Sequence, residues 1–261
     1  MGVNAVLHGR ARRVMVPAMN RLATPAGTAD IGSESGPDFR HVRHWLFDLD
    51  NTLYRADCGV FAQIEARMTD YVARFTGLAR DEARTLQKSL YRAHGTTLNG
   101  LMRLHGADAD DYLAYVHDID LSGLAPDPQL INAVARLPGR RYVFTNGCRH
   151  HAGRILSRIG GDGLFDDIWD IRTLDFTPKP DRRAYDCVVA AAGIDPAQAA
   201  MFDDIAHNLV AARALGMTTV WLNSGSAFSH GGPEAAATPQ DHADHETNDL
   251  PQFLTSIRIS P

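Results

Sequence analysis

Trp45-Leu46-Phe47-Asp48-Leu49-Asp50-Asn51-Thr52-Leu53-Tyr54 is the stretch on which the reading of this chain turns. Three apolar residues read as the end of a buried strand. Two carboxylates one residue apart follow at once, then a hydroxyl. A carboxylate at the end of a buried strand is rarely left without a partner or a metal, because it loses its hydration there. In an α/β sheet that position faces the crevice where ligands bind. The stretch therefore reads as the first part of a catalytic site.

The pattern downstream supports a sheet of parallel strands. Residues 42–48 predict the first strand. Phe61, Ile64, Met68, Val72 and Phe75 then recur at spacings of three and four, which predicts an amphipathic helix closed by Gly77. A second helical stretch carries Ala83, Leu86 and Leu90 and ends at Gly95, and a third holds Tyr112, Leu113 and Val116. A helix is expected over 128–137, stopped by Pro138-Gly139. Beyond it short apolar runs alternate with helical ones: strand 141–144, helix 149–159, strand 167–171, a helix opened by Pro180-Asp181 and closed by Gly193, strand 199–202, helix 206–215 and strand 218–222. Strands alternating with helices predict an α/β fold, a Rossmann-like doubly wound parallel sheet. The block 56–130 contains helices and no clear strand, so it reads as an inserted all-helical cap over the sheet edge.

The boundaries follow from these shifts. Residues 41–55 and 131–223 are expected to form the core domain and 56–130 the cap. Residues 1–40 read as an extension without fixed structure: up to residue 29 they hold Arg10, Arg12, Arg13 and Arg21 and no acid, but no apolar run of the secretory kind. Residues 224–261 read as a mostly mobile tail, whose His230, His242 and His245 are expected to be solvated rather than metal-bound. A chain of 261 residues with 44% hydrophobic content is long enough for one large domain with a smaller insertion. Its net charge of -5 gives no support for a nucleic-acid polymer as partner, and no run is apolar enough for a membrane span. Three cysteines with no paired spacing (Cys58, Cys148 and Cys187) point to a reducing, cytoplasmic setting. The oligomeric state is left between monomer and homodimer.

Four predicted strand ends or following loops carry polar chemistry: Asp48 and Asp50, Thr145, Lys179 in Thr177-Pro178-Lys179-Pro180, and Asp203-Asp204. In a parallel sheet these ends point the same way. A carboxylate can attack phosphorus and form an aspartyl-phosphate. Its repulsion from a phosphate dianion is offset by a hard cation such as Mg²⁺, held by carboxylates of the kind Asp48 and Asp204 supply. Lys179 adds positive charge, and Thr145 with nearby backbone N–H groups can donate to phosphoryl oxygens. Asp50 can protonate a leaving alkoxide and then activate water.

Asp48-Leu49-Asp50-Asn51-Thr52, Thr145-Asn146-Gly147, Lys179-Pro180 and Asp203-Asp204, in that order over about residues 42–222, resemble the four motifs of the haloacid dehalogenase-like (HAD) hydrolase superfamily. The resemblance implies Asp48 as nucleophile and metal ligand, and Asp50 as acid/base with its backbone carbonyl on the metal. Thr145 becomes the phosphate-binding hydroxyl, Asn146 and Gly147 backbone contacts, and Lys179 the motif III lysine. Asp204, four residues before Asn208, becomes the principal Mg²⁺ ligand, with Asp203 as second ligand or water holder. The block 56–130 resembles a type C1 cap. Dehalogenating members lack an acid at the place of Asp50, so its presence implies an oxygen leaving group and a small phosphate ester as substrate.

Asp48 to Tyr54, the cap segment Tyr91 to Leu101 and Phe202-Asp203-Asp204 resemble the pyrimidine 5′-nucleotidase branch, which implies a nucleoside 5′-monophosphate. Thr96, Thr97 and Asn99, between glycines expected to bracket a helix break, could then bind base or sugar, and Tyr54 could touch substrate. Phosphoglycolate or sugar phosphates, for a phosphatase or phosphomutase, remain the alternative. A catalytically silent HAD-fold binding protein is a third reading. Phe61, Met68 and Phe75 are expected in the cap core, Cys148 in packing, and His150 and His151 on a solvated helix face.

Overall fold

The computed structural model describes residues 36–223 and 243–261. The expectations for residues 1–35 and 224–242, including His230 and His242, lie outside the described residues. Among those described, six strands form one sheet in the order β3-β2-β1-β4-β5-β6, every neighbouring pair parallel. They are β1 His44–Phe47, β2 Arg140–Phe144, β3 Asp167–Trp169, β4 Ala199–Asp203, β5 Thr218–Leu222 and β6 His245–Thr247. No helix among the described residues is long and apolar enough to cross a membrane.

β1 is central because it is apolar throughout its inner length, and a strand covered on both faces must be. Trp45 and Phe47 point to one face, where Phe47 stacks on Phe202 at 4.7 Å between ring centroids. Leu46 points to the other, with Tyr142, Phe144 and Met201. Helices α5 (Pro128–Ala135), α6 (Arg149–Ile159) and α9 (Leu250–Ser256) bury their apolar stripes on the Phe47 face. Helices α7 (Arg182–Ala192) and α8 (Leu209–Leu215) cover the Leu46 face. The doubly wound arrangement expected from the alternating pattern is the one observed.

The helical insertion between β1 and β2 consists of α1 (Val60–Thr76), α2 (Arg80–His94), α3 (Thr97–His105) and α4 (Ala109–Val116). They share an apolar cluster of their own, built on Tyr71, Leu90, Leu101 and Tyr112, that reaches Cys148 and Ile171 of the core. Helix α5 packs on the sheet rather than with them. The glycines of the cap segment do not bracket a break. Gly95 ends α2 in a left-handed conformation, φ 79°. Gly100 instead lies inside α3, where a methyl group would come within 2.7 Å of Leu90 Cδ2, so it is the close approach of α2 and α3 that requires it.

The C-terminal segment departs most from the sequence reading. Residues 243–261 are not a mobile tail: β6 extends the sheet beside β5, and His245 sits in it. Helix α9 is capped by Asp249, which accepts from Gln252 N at 2.9 Å. Leu250, Phe253, Leu254 and Ile257 form its buried stripe, an i, i+3, i+4, i+7 pattern too short to stand out in a weakly apolar region. Phe253 meets Phe39 edge-on at 5.8 Å. Residues from 36 also belong to the fold rather than to the extension, since Phe39 is fully buried and its N–H donates to Arg258 O at 2.9 Å. Phe253→Ala is expected to cost about 3 kcal/mol of unfolding free energy in a urea titration, against under about 0.5 for Leu104→Ala on the exposed face of α3. Equal, small losses would contradict the docking of α9.

Candidate active site

The carboxyl ends of β1, β2 and β4 meet at one edge, and the sequence places a polar group at each. Asp48 continues the ladder by donating its N–H to Phe202 O at 2.8 Å, which sets its side chain at the lip of the sheet. The chain then turns sharply at Asn51, φ 61°, a left-handed conformation that asparagine tolerates better than most residues. Ligand atoms of Asp48, Asp203 and Asp204 all lie within 4.8 Å of one another.

Lys179 joins them from the loop before α7. Its ammonium is buried, 2.7 Å from Asp48 Oδ1 and 2.6 Å from Asp203 Oδ2. Burial works against its charge, but Asp203 and Asp48 more than offset this and hold its pKa above the usual lysine value. The side chain of Asn146 clasps the peptide of Lys179: its Oδ1 accepts from Lys179 N at 2.8 Å, and its Nδ2 donates to Lys179 O at 3.1 Å. Asn146 thus spends its side chain on placing the lysine.

The acids differ in what remains free. Asp203 Oδ1 accepts from Ile205 N and Asn208 Nδ2, both at 2.9 Å, while its Oδ2 is taken by Lys179. Asp204 faces the cavity, and among the described residues its carboxylate has only a long contact, 3.4 Å from Asn51 Nδ2. Burial, with Asp48 and Asp203 alongside, pushes its pKa well up. Burial also raises Asp48, to about 7, with Lys179 opposing and Asp203 and Asp50 adding to the rise. Three buried carboxylates against one ammonium leave an excess of negative charge. Hard oxygen donors in this state fit a small divalent cation, with Asp204 and Asp48 as the open ligands.

Asp50 lies beside them, also lining the cavity. Its Oδ1 accepts from Tyr54 OH at 2.6 Å and from His151 Nε2 at 2.8 Å. Burial opposes its charge, but His151 and the two hydrogen bonds outweigh it and hold the pKa below the ordinary carboxylate value. Thr145 Oγ1 accepts from Gly147 N at 2.9 Å, which leaves the hydroxyl proton free to donate. A methyl group at Gly147 would meet Thr145 Oγ1 at 3.3 Å and stand 3.7 Å from Asp50 Oδ2, so the glycine keeps this corner open.

These groups floor a cavity of about 440 Å³ roofed by the helical insertion. Thr96 and Thr97 line it, as expected, though Thr96 also caps α3 by accepting from Asn99 N at 3.1 Å. Three residues sit elsewhere than the sequence suggests. Tyr54 does not line the cavity but holds Asp50 from behind. Asn99 turns away and donates to Phe176 O at 2.8 Å, tying α3 to the core. His150 is exposed as expected, but His151 is fully buried against Asp50. The sequence signal for this is its place four and eight residues before Ile155 and Ile159, at the head of the buried stripe of α6. Gln87 and Tyr112 are further cavity residues that motif reading passed over. Cys148 is more than packing: its Sγ lies 3.3 Å from Nδ1 of His117, whose pKa is pushed down to about 3 by burial and the neighbouring His151.

Comparison with known proteins agrees with this geometry. Residues 42–216 match the family model described as haloacid dehalogenase-like hydrolase. "Phosphate metabolism protein 8" of Saccharomyces cerevisiae is 30% identical over 192 residues, 66% of this chain and 59% of that protein. The chain thus spans well under two thirds of the length of that relative. A HAD phosphatase from Thermococcus onnurineus superposes with a TM-score of 0.55 at 19% identity, covering 83% of this chain and 100% of the other. An L-2-haloacid dehalogenase from Xanthobacter autotrophicus, with chloropropionic acid covalently bound, gives 0.51 at 15% identity, covering 82% and 97%. At such identities the two structures attest the fold alone. With the sheet order, the four strand-end motifs and the family match in agreement, the chain belongs to the haloacid dehalogenase-like hydrolases.

Proposed function

We propose that this protein is a phosphatase that hydrolyses a small phosphomonoester through an aspartyl-phosphate on Asp48, beneath a cap of type C1. The observation that carries the reading is the division of labour among the carboxylates. Lys179 occupies Oδ1 of Asp48, leaving Oδ2 to attack phosphorus. As that bond forms and the ester P–O bond breaks, Asp50, whose pKa is held low in the free site, relays the proton of a phosphate monoanion to the leaving oxygen. Asp50 then takes a proton from water, whose oxygen bonds to phosphorus and releases Asp48 and inorganic phosphate. Thr145 Oγ1 donates to a phosphoryl oxygen. Asp48 and Asp204 with the backbone carbonyl of Asp50 would hold Mg²⁺, and Asp203 would act behind them, since its oxygens are already engaged. The cation supplies charge neutralisation at the transferring phosphoryl group. An acid at Asp50 supports an oxygen leaving group over a halide.

A (pyrimidine) nucleoside 5′-monophosphate is the substrate class we favour. The cavity is large for a bare phosphate ester, and Ile64, Leu98, Leu113 and Val116 give it apolar walls. The neutral polar groups in it keep spare capacity: among the described residues Gln87 Nε2 meets only Met68 Sδ at 3.6 Å, and the buried Tyr112 OH has Thr97 as its neighbour. Such groups suit the edge of a base or a sugar hydroxyl. Arg92, also on the lining, favours the second reading, a phosphorylated carboxylic acid such as phosphoglycolate, and sugar phosphates belong with that alternative. A cytoplasmic place is part of this reading, supported by Cys58, Cys148 and Cys187, which form no disulfide.

Asp48→Asn should lower hydrolysis of p-nitrophenyl phosphate by about 10⁴-fold or more, and equal rates would overturn the nucleophile. In a panel of UMP, CMP, phosphoglycolate and sugar phosphates, the nucleotides should lead in kcat/KM, and Gln87→Leu should cost them about three- to tenfold. A lead of about tenfold for phosphoglycolate would move the assignment to the second reading. Mg²⁺ at about a hundred times its Kd should add about 2.7 kcal/mol to thermal stability and rescue chelator-treated enzyme. That stabilisation should vanish in Asp204→Asn; its absence from the wild type would sink the metal site.

A further inference from the structure

The family motifs assign Asp50 but nothing that holds it, and the structure supplies a holder. His151 is fully buried, although its stretch of sequence is polar. Its Nε2 lies 2.8 Å from Asp50 Oδ1, and its Nδ1 is buried without a partner. An ionised Asp50 carboxylate can only accept, so the ring donates from Nε2. His117 covers the ring, its plane within 10° and its centroid 4.3 Å away. Arg154 in turn grips the segment after α4, donating to His117 O at 2.6 Å and to Ile119 O at 2.9 Å. Tyr54 OH donates to the same Asp50 oxygen from another direction, at 2.6 Å.

We propose that His151, backed by His117 and seconded by Tyr54, is a positioning residue that locks Oδ1 of Asp50 and thereby makes Oδ2 the oxygen that exchanges the proton with the leaving group and with water. The inference rests on the acid/base reading of Asp50 given above. Two donors already converge on Oδ1, so a proton there would point at another donor. Oδ2 faces the open corner at Gly147, beside Thr145. Rotation of the carboxyl would exchange the two oxygens, and two hydrogen bonds at fixed angles oppose it. The stacked pair spans the two parts of the fold, because His117 closes α4 of the insertion and His151 opens the first turn of α6 in the core. The aim of Asp50 is therefore set jointly by both.

Leaving-group dependence separates this role from a merely structural one. p-Nitrophenolate departs without a proton, whereas an alkoxide needs one. In single-turnover quench experiments His151→Leu should slow ester cleavage of the panel's best alkyl phosphate by about tenfold or more, yet slow p-nitrophenyl phosphate by less than about threefold, with KM little changed. His151→Gln should restore most of the loss, because its Nε2 lies the same number of bonds from the backbone. If the leucine variant does not fold, Tyr54→Phe removes the second donor to the same oxygen and should give the same split, smaller in size. Asp50→Asn is the control for the underlying reading: a split there with none in His151→Leu or Tyr54→Phe overturns the positioning role, and no split in Asp50→Asn overturns the acid itself. Equal slowing of both esters by the His151 and Tyr54 variants would also overturn the inference.

Discussion

The site depends on one buried cation. Asp48 and Asp203 lie at adjacent strand ends under the rim of the sheet, where two carboxylates without counter-charge would repel and lose their hydration. Lys179 reaches between them and contacts both. Its own chain has no strand to hold it there, so the loop is fastened by the paired hydrogen bonds of Asn146. The second motif thus serves the third: Asn146, whose backbone the sequence reading gives to phosphate, anchors the lysine with its side chain.

A common rule governs the acids. In Asp48 and Asp50 one oxygen is engaged, and the other has no hydrogen bond among the described residues. Asp48 gives Oδ1 to Lys179, and Asp50 gives Oδ1 to Tyr54 and His151. Asp203 has both oxygens engaged, while Asp204 has, among the described residues, only the long contact with Asn51, which is why the proposed reading gives it to the cation. Preorganisation of this sort lets a reacting oxygen be aimed without reorganisation at the moment of reaction. The same four aspartates with their partners exchanged would give a different assignment of roles.

The insertion supplies the roof and more. It contributes the walls of the cavity through α1 to α4, and it is tied to the core by Asn99 and by the stacked His117. The cavity walls therefore sit on elements whose apolar faces also hold the insertion together. That overlap explains why its residues are hard to assign from sequence: Leu98 or Tyr112 reads as core, and each is both core and cavity wall.

Local sequence was enough for five of the six strands, the order of the chemistry and the family. Strand ends are written locally, as an apolar run followed by a polar residue, and a parallel sheet brings all such ends to one edge whatever the details. Asp48, Asp50, Thr145, Lys179 and Asp203-Asp204 were legible for that reason. The tertiary structure alone decided which neighbours each group has. Nothing in the spacing tells that Tyr54 turns behind Asp50, that Asn99 ties α3 to Phe176, or that the run from Asp244 closes the sheet beside β5. His151 is the clearest case. It stands in a run of arginines and histidines that reads as a wet helix face, and only the packing of α6 against the sheet and of His117 against its ring makes it a buried donor to the acid. Periodicity records which side of a helix is apolar. It does not record what a polar residue on that side will meet, because the partner comes from another part of the chain.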